Sequence, residues 1–175
     1  LSSSSAASDV YKRQGEVMKQ PPYNLLIALK SDEPIVVIGG GALAERKIST
    51  LLDAGCRPRV ISPTLTARLS DLFGQGAFDW EPRKSQREDF DRPRFVLLAL
   101  PPEETLLVLP WAREANCLVN AASLAGQGDW ALVAQFNVDC CRIGIGTGGT
   151  DPGLARKLKK ILLRHLTTDH EVDSQ

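Results

Sequence analysis

The sequence predicts an α/β protein, a doubly wound parallel sheet followed by a C-terminal β-ribbon and a basic helix. Three observations predict it. Between residues 35 and 121, short apolar runs alternate with amphipathic stretches, the pattern of strands joined by helical crossovers. One run, Phe95-Val-Leu-Leu-Ala-Leu100, is continuously apolar at strand length, as a strand covered on both faces must be. After Gly126 the alternation gives way to two strand-like segments joined by a short polar turn, the signature of an antiparallel ribbon appended to the parallel sheet.

The elements follow in order. Residues 1–17 lack periodicity, and their apolar residues are too scattered for the centre of a signal peptide. They read as a disordered, non-native leader, with Met18 the native start. A short apolar segment at 25–29 precedes the first strand at 35–38. A helix over 42–54 then carries Leu43, Ile48, Leu51 and Leu52 on one face and closes at Gly55. The second strand spans 59–62, and a helix near 66–73 ends at Gly74 and Gly76. A short third strand is expected at 78–81, then a charge-rich polar connection over 82–93, the strand at 95–100, a helix over 103–114 and a strand at 118–121. Strands at 131–137 and 141–146 form the ribbon, and residues 154–166 form an amphipathic basic helix. The division is a nucleotide-binding unit over 18–125 and a ribbon-and-helix unit over 126–175.

Composition narrows the function. The chain has 175 residues, 43% of them apolar, enough for one sizeable core. Its 21 basic and 21 acidic residues cancel, so no global field recruits nucleic acid or a membrane surface. No apolar run reaches membrane-spanning length. Cys56, Cys117, Cys140 and Cys141 lack C-x-x-C spacing, and two histidines supply no metal-ligand pattern, so no metal site is expected. The cysteines read as reduced, mostly buried thiols of a cytoplasmic protein. Cys140 and Cys141 would point to opposite faces of a strand, which favours a structural role over a redox pair.

Two glycine motifs carry the chemistry. Ile35-Val-Val-Ile-Gly-Gly-Gly-Ala-Leu-Ala-Glu-Arg-Lys47 runs from a buried strand through a glycine turn into a helix. Read as G-x-G-x-x-A, it is the Rossmann-like fingerprint: Gly39 makes the tight turn, Gly41 lets backbone approach a pyrophosphate, and Ala44 packs helix on strand. Gly40, Ala42 and Leu43 complete the turn, whose free N–H groups and dipole favour phosphate. The glycines alone would also suit an ordinary strand-to-helix turn; the surrounding elements favour the dinucleotide. At the end of the second strand, Ser62, Pro63 and Thr64 stand where an NAD site usually carries an acid for the adenosine ribose, so NAD and NADP both stay open.

The second motif is Thr147-Gly148-Gly149-Thr150-Asp-Pro-Gly, directly before the basic helix with Arg156, Lys157 and Lys160. Backbone donors, hydroxyls and a helix start converge there as an anion-binding candidate. A helix cap made by Asp151 is the plainer reading, and the two are compatible. The lysines read more simply as a solvated face.

The chain resembles the precorrin-2 dehydrogenases of siroheme synthesis, including the N-terminal module of bifunctional siroheme synthase. The resemblance covers about residues 23–166 and rests on Val37 to Lys47, on Cys117-Leu-Val-Asn-Ala121, and on Thr147 to Arg156, which is similar to the family's Ser-Gly-Gly-x-Ser-Pro-x-Leu-Ala-Arg. It implies NAD-dependent oxidation of precorrin-2 to sirohydrochlorin in a homodimer. Thr147, Gly148, Gly149, Thr150 and Arg156 would then hold the carboxylate-rich macrocycle. It also implies a helical dimerisation region after the basic helix, which this sequence carries only in truncated or reduced form. The family's Asn-x-x-Asp reads here Asn120-Ala-Ala-Ser123, so Ser123 takes the place of the aspartate credited with proton handling and chelation. A serine without an activating partner is no general base, so the resemblance implies a weakened dehydrogenase that does not insert iron. Asp129 is a possible substitute acid, or simply a turn residue beside Gly128. Leu100-Pro-Pro-Glu-Glu-Thr105 also departs from the family, and Glu103 and Glu104 read as helix-start charges. The alternative function is a non-catalytic carrier or partner subunit that binds dinucleotide or tetrapyrrole.

Overall fold

The computed structural model describes residues 30, 32–124 and 126–168. The expected leader, the apolar segment at 25–29 and the tail beyond 168 lie outside the described residues. Strands β1 (Ile35–Ile38), β2 (Arg59–Ile61), β3 (Asp79–Glu81), β4 (Phe95–Leu98) and β5 (Leu118–Ala121) form one parallel sheet in the order β3-β2-β1-β4-β5. The chain winds outward from β1 to β3, then returns to β4 on the other side of β1. A crevice is expected where β1 and β4 send their connections in opposite directions.

Helices α1 (Ala42–Asp53) and α2 (Ala67–Gly74) cover one face, and α3 (Pro102–Glu114) covers the other. Ala44, Ile48 and Leu51 of α1 meet Val37, Val60, Leu97 and Leu69 in one core. Val108, Leu109 and Ala112 of α3 meet Val36, Ile38, Val96 and Leu98 in the second. Each buried Leu or Ile contributes roughly 1.5–3 kcal/mol. Because both faces are covered, every residue of β1 and β4 is buried, which is why neither strand alternates in sequence. At the end of α1, the N–H groups of Gly55 and Cys56 donate to the Leu52 and Leu51 carbonyls at 2.8 and 2.9 Å, closing the helix there.

The charge-rich connection after β3 holds a feature that its composition did not reveal. Residues Arg87–Phe90 form a short 3₁₀ turn that buries Asp89 at 5% exposure. The Arg83 guanidinium forks onto it, Nη1 to Oδ2 at 2.8 Å and Nη2 to Oδ1 at 2.6 Å, while Gln86 N–H donates to Oδ2 at 2.7 Å. Glu81 joins the network, accepting from Arg59 Nη1 at 2.6 Å and from Arg83 Nε at 3.0 Å. Burial pushes the Asp89 carboxyl up, but Arg83 and the Gln86 amide hold it below the usual carboxylate range.

Strands β6 (Ala134–Val138) and β7 (Cys141–Ile145) pair antiparallel as expected. They are not appended to the parallel sheet; they form a separate two-stranded sheet. The reason lies at the outer edge of β5. Asp129 N–H donates to Val119 O at 2.6 Å, Val119 N–H donates to Asp129 Oδ2 at 2.8 Å, and the Trp130 indole donates to Leu118 O at 3.0 Å. These bonds occupy the edge groups that a further strand would need. The ribbon instead docks on α1, where the Arg142 guanidinium donates to the Ala54 and Asp53 carbonyls at 3.0 and 3.5 Å. Helix α4 (Pro152–Thr168) packs on the ribbon through Ala155. The thiols depart from expectation: Cys117 is buried and Cys56 half-buried, but Cys140 and Cys141 are exposed at the ribbon turn, where no layer covers them.

Candidate active site

The glycine turn leaves β1 at the switch in strand order. Gly39 adopts φ 118°, and a Cβ there would lie 2.4 Å from the Ala99 carbonyl oxygen. A Cβ on Gly40 would lie 2.1 Å from the Thr64 oxygen, so the neighbouring loops leave no room for one. Gly41 differs. It has an ordinary negative φ, and a Cβ would meet nothing within 4 Å. The fold itself therefore does not demand glycine at 41, whereas a phosphate lying against the helix start would. No side chain caps α1, which leaves its first-turn donors for a ligand. Ala42 is exposed at this turn, Leu43 packs against the α1 core, and Ala44 is fully buried where helix meets sheet.

Thr66 locks this turn to the loop after β2, a role that sequence reading did not assign. Its N–H donates to Gly40 O at 3.0 Å and its hydroxyl donates to Glu45 Oε2 at 2.6 Å, while its Oγ accepts from Leu69 N–H at 3.2 Å to cap α2. A threonine at a helix start is a local capping signal, whereas the bond across to Glu45 joins residues 21 apart and has none. Ser62, at the position where an NAD site usually carries its ribose-binding acid, is buried and donates its hydroxyl to Thr64 O at 2.8 Å, while its carbonyl accepts from the Trp80 indole at 2.9 Å. Pro63 and Thr64 are exposed beside it. A cleft of about 270 Å³ opens here, with Gly39, Ser62 and Pro63 facing Leu100, Leu107 and Trp111; Lys84, Ser85 and Glu104 are polar groups on its walls.

Ser123 lies on the α3 side of the sheet. Thr105, fully buried, donates its hydroxyl to Leu100 O at 3.2 Å, and Ser123 Oγ lies 3.0 Å from Thr105 Oγ. With the Thr105 proton used on Leu100, Ser123 donates to Thr105, and among the described residues no acid or base is hydrogen-bonded to it. Asp129 does not fill the vacancy. Burial pushes its carboxyl up, but Arg113 and the Val119 amide hold it below the usual range as an edge-capping carboxylate. Asn120 lies between Val119 and Ala121, which belong to the core beneath α3, so its side chain points to the α1 face. It is 4% exposed, and its Nδ2 has no hydrogen-bond partner. Such an orphan costs about 1–3 kcal/mol unless an acceptor reaches it. Asn120 and Ser123, paired in sequence, thus serve opposite layers.

The loop of Thr147, Gly148, Gly149 and Thr150 caps α4. Asp151 Oδ1 accepts from Leu154 N–H at 2.8 Å, Thr150 donates to Thr147 O at 2.6 Å, and Thr147 Oγ accepts from Asp151 N–H at 3.1 Å. Arg156 is exposed on the following turn. Among the described residues no hydrogen bond joins this loop to the glycine turn. Nor does any group of three or more metal-ligating side chains gather among them, and no helix there is long and apolar enough to cross a membrane.

A parallel sheet with a glycine turn at its switch point and an uncapped helix start defines a dinucleotide-binding domain of Rossmann type. A family model described as "Putative NAD(P)-binding" matches residues 26–134, and the chain belongs to that family. It is 31% identical over 140 residues to siroheme synthase 1 of Aeromonas salmonicida, covering 77% of this chain and 30% of that protein. It is 27% identical over 140 residues to the precorrin-2 dehydrogenase of Priestia megaterium, covering 80% of this chain and 69% of that one. The solved structure titled "SirC, precorrin-2 dehydrogenase" superimposes with a TM-score of 0.64 at 27% identity, covering 82% of this chain and 70% of its own. The chain spans about 30% of the length of the siroheme synthases it matches. The family resemblance read from Val37 to Lys47, Cys117 to Ala121 and Thr147 to Arg156 is borne out by these relatives.

Proposed function

We propose that the protein oxidises precorrin-2 to sirohydrochlorin with NAD, NADP being an admissible alternative, and does not insert iron. The observation that carries this reading is Gly41, a glycine with ordinary φ and open space around it at the uncapped start of α1, in a chain similar to a protein named precorrin-2 dehydrogenase. The bound nicotinamide would supply the hydride acceptor. Gly41 and the first-turn amides of α1 would hold the diphosphate, and Asn120 Nδ2 would donate to an acceptor placed over β5. Thr147, Gly148, Gly149, Thr150 and Arg156 would meet substrate carboxylates. Ser123, a neutral donor to Thr105, offers neither a base nor a metal-binding carboxylate, so the proton lost in oxidation passes to water or to a substrate carboxylate. The carrier reading gains nothing from the relatives.

The test is anaerobic incubation with precorrin-2 and NAD, following NADH and sirohydrochlorin together. Both should form above the uncatalysed rate; silence despite binding of both ligands would favour the carrier. Ser123→Asp is expected to raise kcat by about tenfold to a hundredfold. Unchanged turnover in a variant that still binds NAD and substrate would remove Ser123 from the mechanism.

A homodimer is part of the proposal. Leu154, Leu158, Ile161 and Leu162 are 45, 37, 40 and 38% exposed and form one apolar stripe on α4 that runs beside buried Ala155, with Leu158 and Leu162 three and seven residues beyond it. The double variant Leu158→Asp with Ile161→Asp should sediment as a monomer where the parent sediments as a dimer. A monomeric parent would end this part of the reading. Four free thiols, two of them exposed, suit a reducing cytoplasm.

A further inference from the structure

We infer that Arg142 is a positioning residue, the centre of a polar joint through which the ribbon and α4 hold the Thr147–Arg156 loop in place relative to the glycine turn. The inference rests on the reading of that loop as the substrate-binding one and concerns what aims it. Among the described residues the sheet and the ribbon share no apolar core: both cores end at Leu132, and Phe136 and Ala155, buried in the ribbon and α4, belong to neither. In place of packing, donors on the ribbon meet the last turn of α1. Arg142 Nη1 and Nη2 donate to the Ala54 and Asp53 carbonyls at 3.0 and 3.5 Å, and Gln135 Nε2 donates to Thr50 O, one turn earlier, at 3.4 Å.

The ribbon is built to make these bonds. Asn137 stands directly opposite Arg142 in the ladder, and its Oδ1 accepts from Arg142 Nε at 3.1 Å, which fixes the guanidinium. Gln135 lies two residues from Asn137 and so shares its face. Two residues along a strand span roughly 6.7 Å, close to the roughly 5.4 Å rise of a helical turn, so two rungs of the ribbon meet two turns of α1. The last carbonyls of a helix lack partners within it, and a cation there also meets the negative end of its dipole. Beside the joint lies a cavity of about 330 Å³ with α1, the ribbon and α4 on its walls through Asp53, Arg142 and Lys159. The contact is thus a hinge of hydrogen bonds, not a close-packed interface. Helix α1 begins at the glycine turn and runs 12 residues, roughly 18 Å, to this joint. On the other side, β7 carries the chain from Arg142 to Thr147, and α4 packs back on the ribbon through Ala155. Rotation at Arg142 would move the loop while the far end of α1, with its first-turn donors, stays in place.

Arg142→Ala in the intact protein has two readouts. In turnover, KM for precorrin-2 should rise about tenfold while kcat and the Kd for NAD stay within about twofold of the parent, because the lost bonds aim a loop and touch no reacting atom. Arg142→Lys keeps a cation at the end of α1 and should restore most of the parental KM. In hydrogen exchange, the amides of 134–168 should exchange about tenfold faster than in the parent, while those of β1 and β4 keep their rates. Unchanged exchange would overturn the joint, and an unchanged KM would overturn its role in aiming the loop. Equal losses in kcat, NAD affinity and KM would overturn both, since they mark general destabilisation. A parent that binds NAD and leaves precorrin-2 unoxidised would overturn the dehydrogenase reading instead, and the exchange measurement would still decide whether Arg142 holds the joint.

Discussion

Gly39→Ala is expected to destabilise the protein by about 2–4 kcal/mol and to abolish dinucleotide binding. Two independent penalties combine. The backbone sits at φ 118°, where an L side chain is strained, and the new methyl would lie 2.4 Å from the Ala99 oxygen. That oxygen belongs to the residue just after β4, so the clash can be relieved only by parting the two central strands. Parting them would disturb the Val37–Leu97 and Ile38–Leu98 register from which both cores are built. Gly41→Ala is the matched control. With ordinary φ and open space around the added methyl, it should leave the urea midpoint almost unchanged and weaken NAD or NADP binding about tenfold or more. Chemical denaturation and ligand titration on both variants separate the roles. A Gly39→Ala protein of parental stability would mean that the turn yields without disturbing β4.

Asp89→Ala is expected to cost about 3 kcal/mol at neutral pH, because it leaves the Arg83 fork without its buried partner. The figure sits at the low end for a broken buried pair because the Arg83 side chain is 34% exposed and water recovers part of the loss. The pH dependence follows from the direction of the shift. Burial raises the Asp89 carboxyl, but Arg83 and the Gln86 amide overcome it, and the folded pKa is depressed. A depressed carboxylate contributes stability that is fully present above its unfolded value near about 4 and is lost as pH falls through the folded value. The parent and Asp89→Ala should therefore differ most from pH 5 upward and converge in acid. Urea midpoints at about pH 7, 5 and 3 measure this; a difference constant across that range would show that ionisation at Asp89 is not what stabilises the loop. Lys84 and Ser85, which line the crevice, lie between Arg83 and Asp89, so the same substitution should loosen the crevice rim and weaken dinucleotide binding.

These two sites differ in how far they could be read in advance. The glycine turn is local: one strand, three glycines and one amphipathic helix lie within twenty residues, and their spacing states the geometry. The Arg83 network looked like a solvated charge run, because charges six residues apart carry no mark of which one the chain will bury. Thr66 and Thr105 were likewise visible as ordinary helix-start residues, and only folding gave each a partner in another loop. Ser62 was singled out for its position at the end of β2, yet sequence could not tell that Thr64 and Trp80 would turn its polar groups inward.

By itself the sequence determined the strands, the helices, the parallel sheet and the presence of a nucleotide turn. These follow from hydrophobic period, turn chemistry and two-face burial, which act over a few residues at a time. Tertiary structure alone decided that the ribbon stands apart from the sheet, since Asp129 and Trp130 seal the edge of β5. It alone decided that Asn120 and Ser123 face opposite layers, and that Asp89 is buried as a carboxylate paired with Arg83. Those outcomes depend on which hydrogen-bonding group reaches which partner across dozens of residues. Such pairings exist only after the layers have packed.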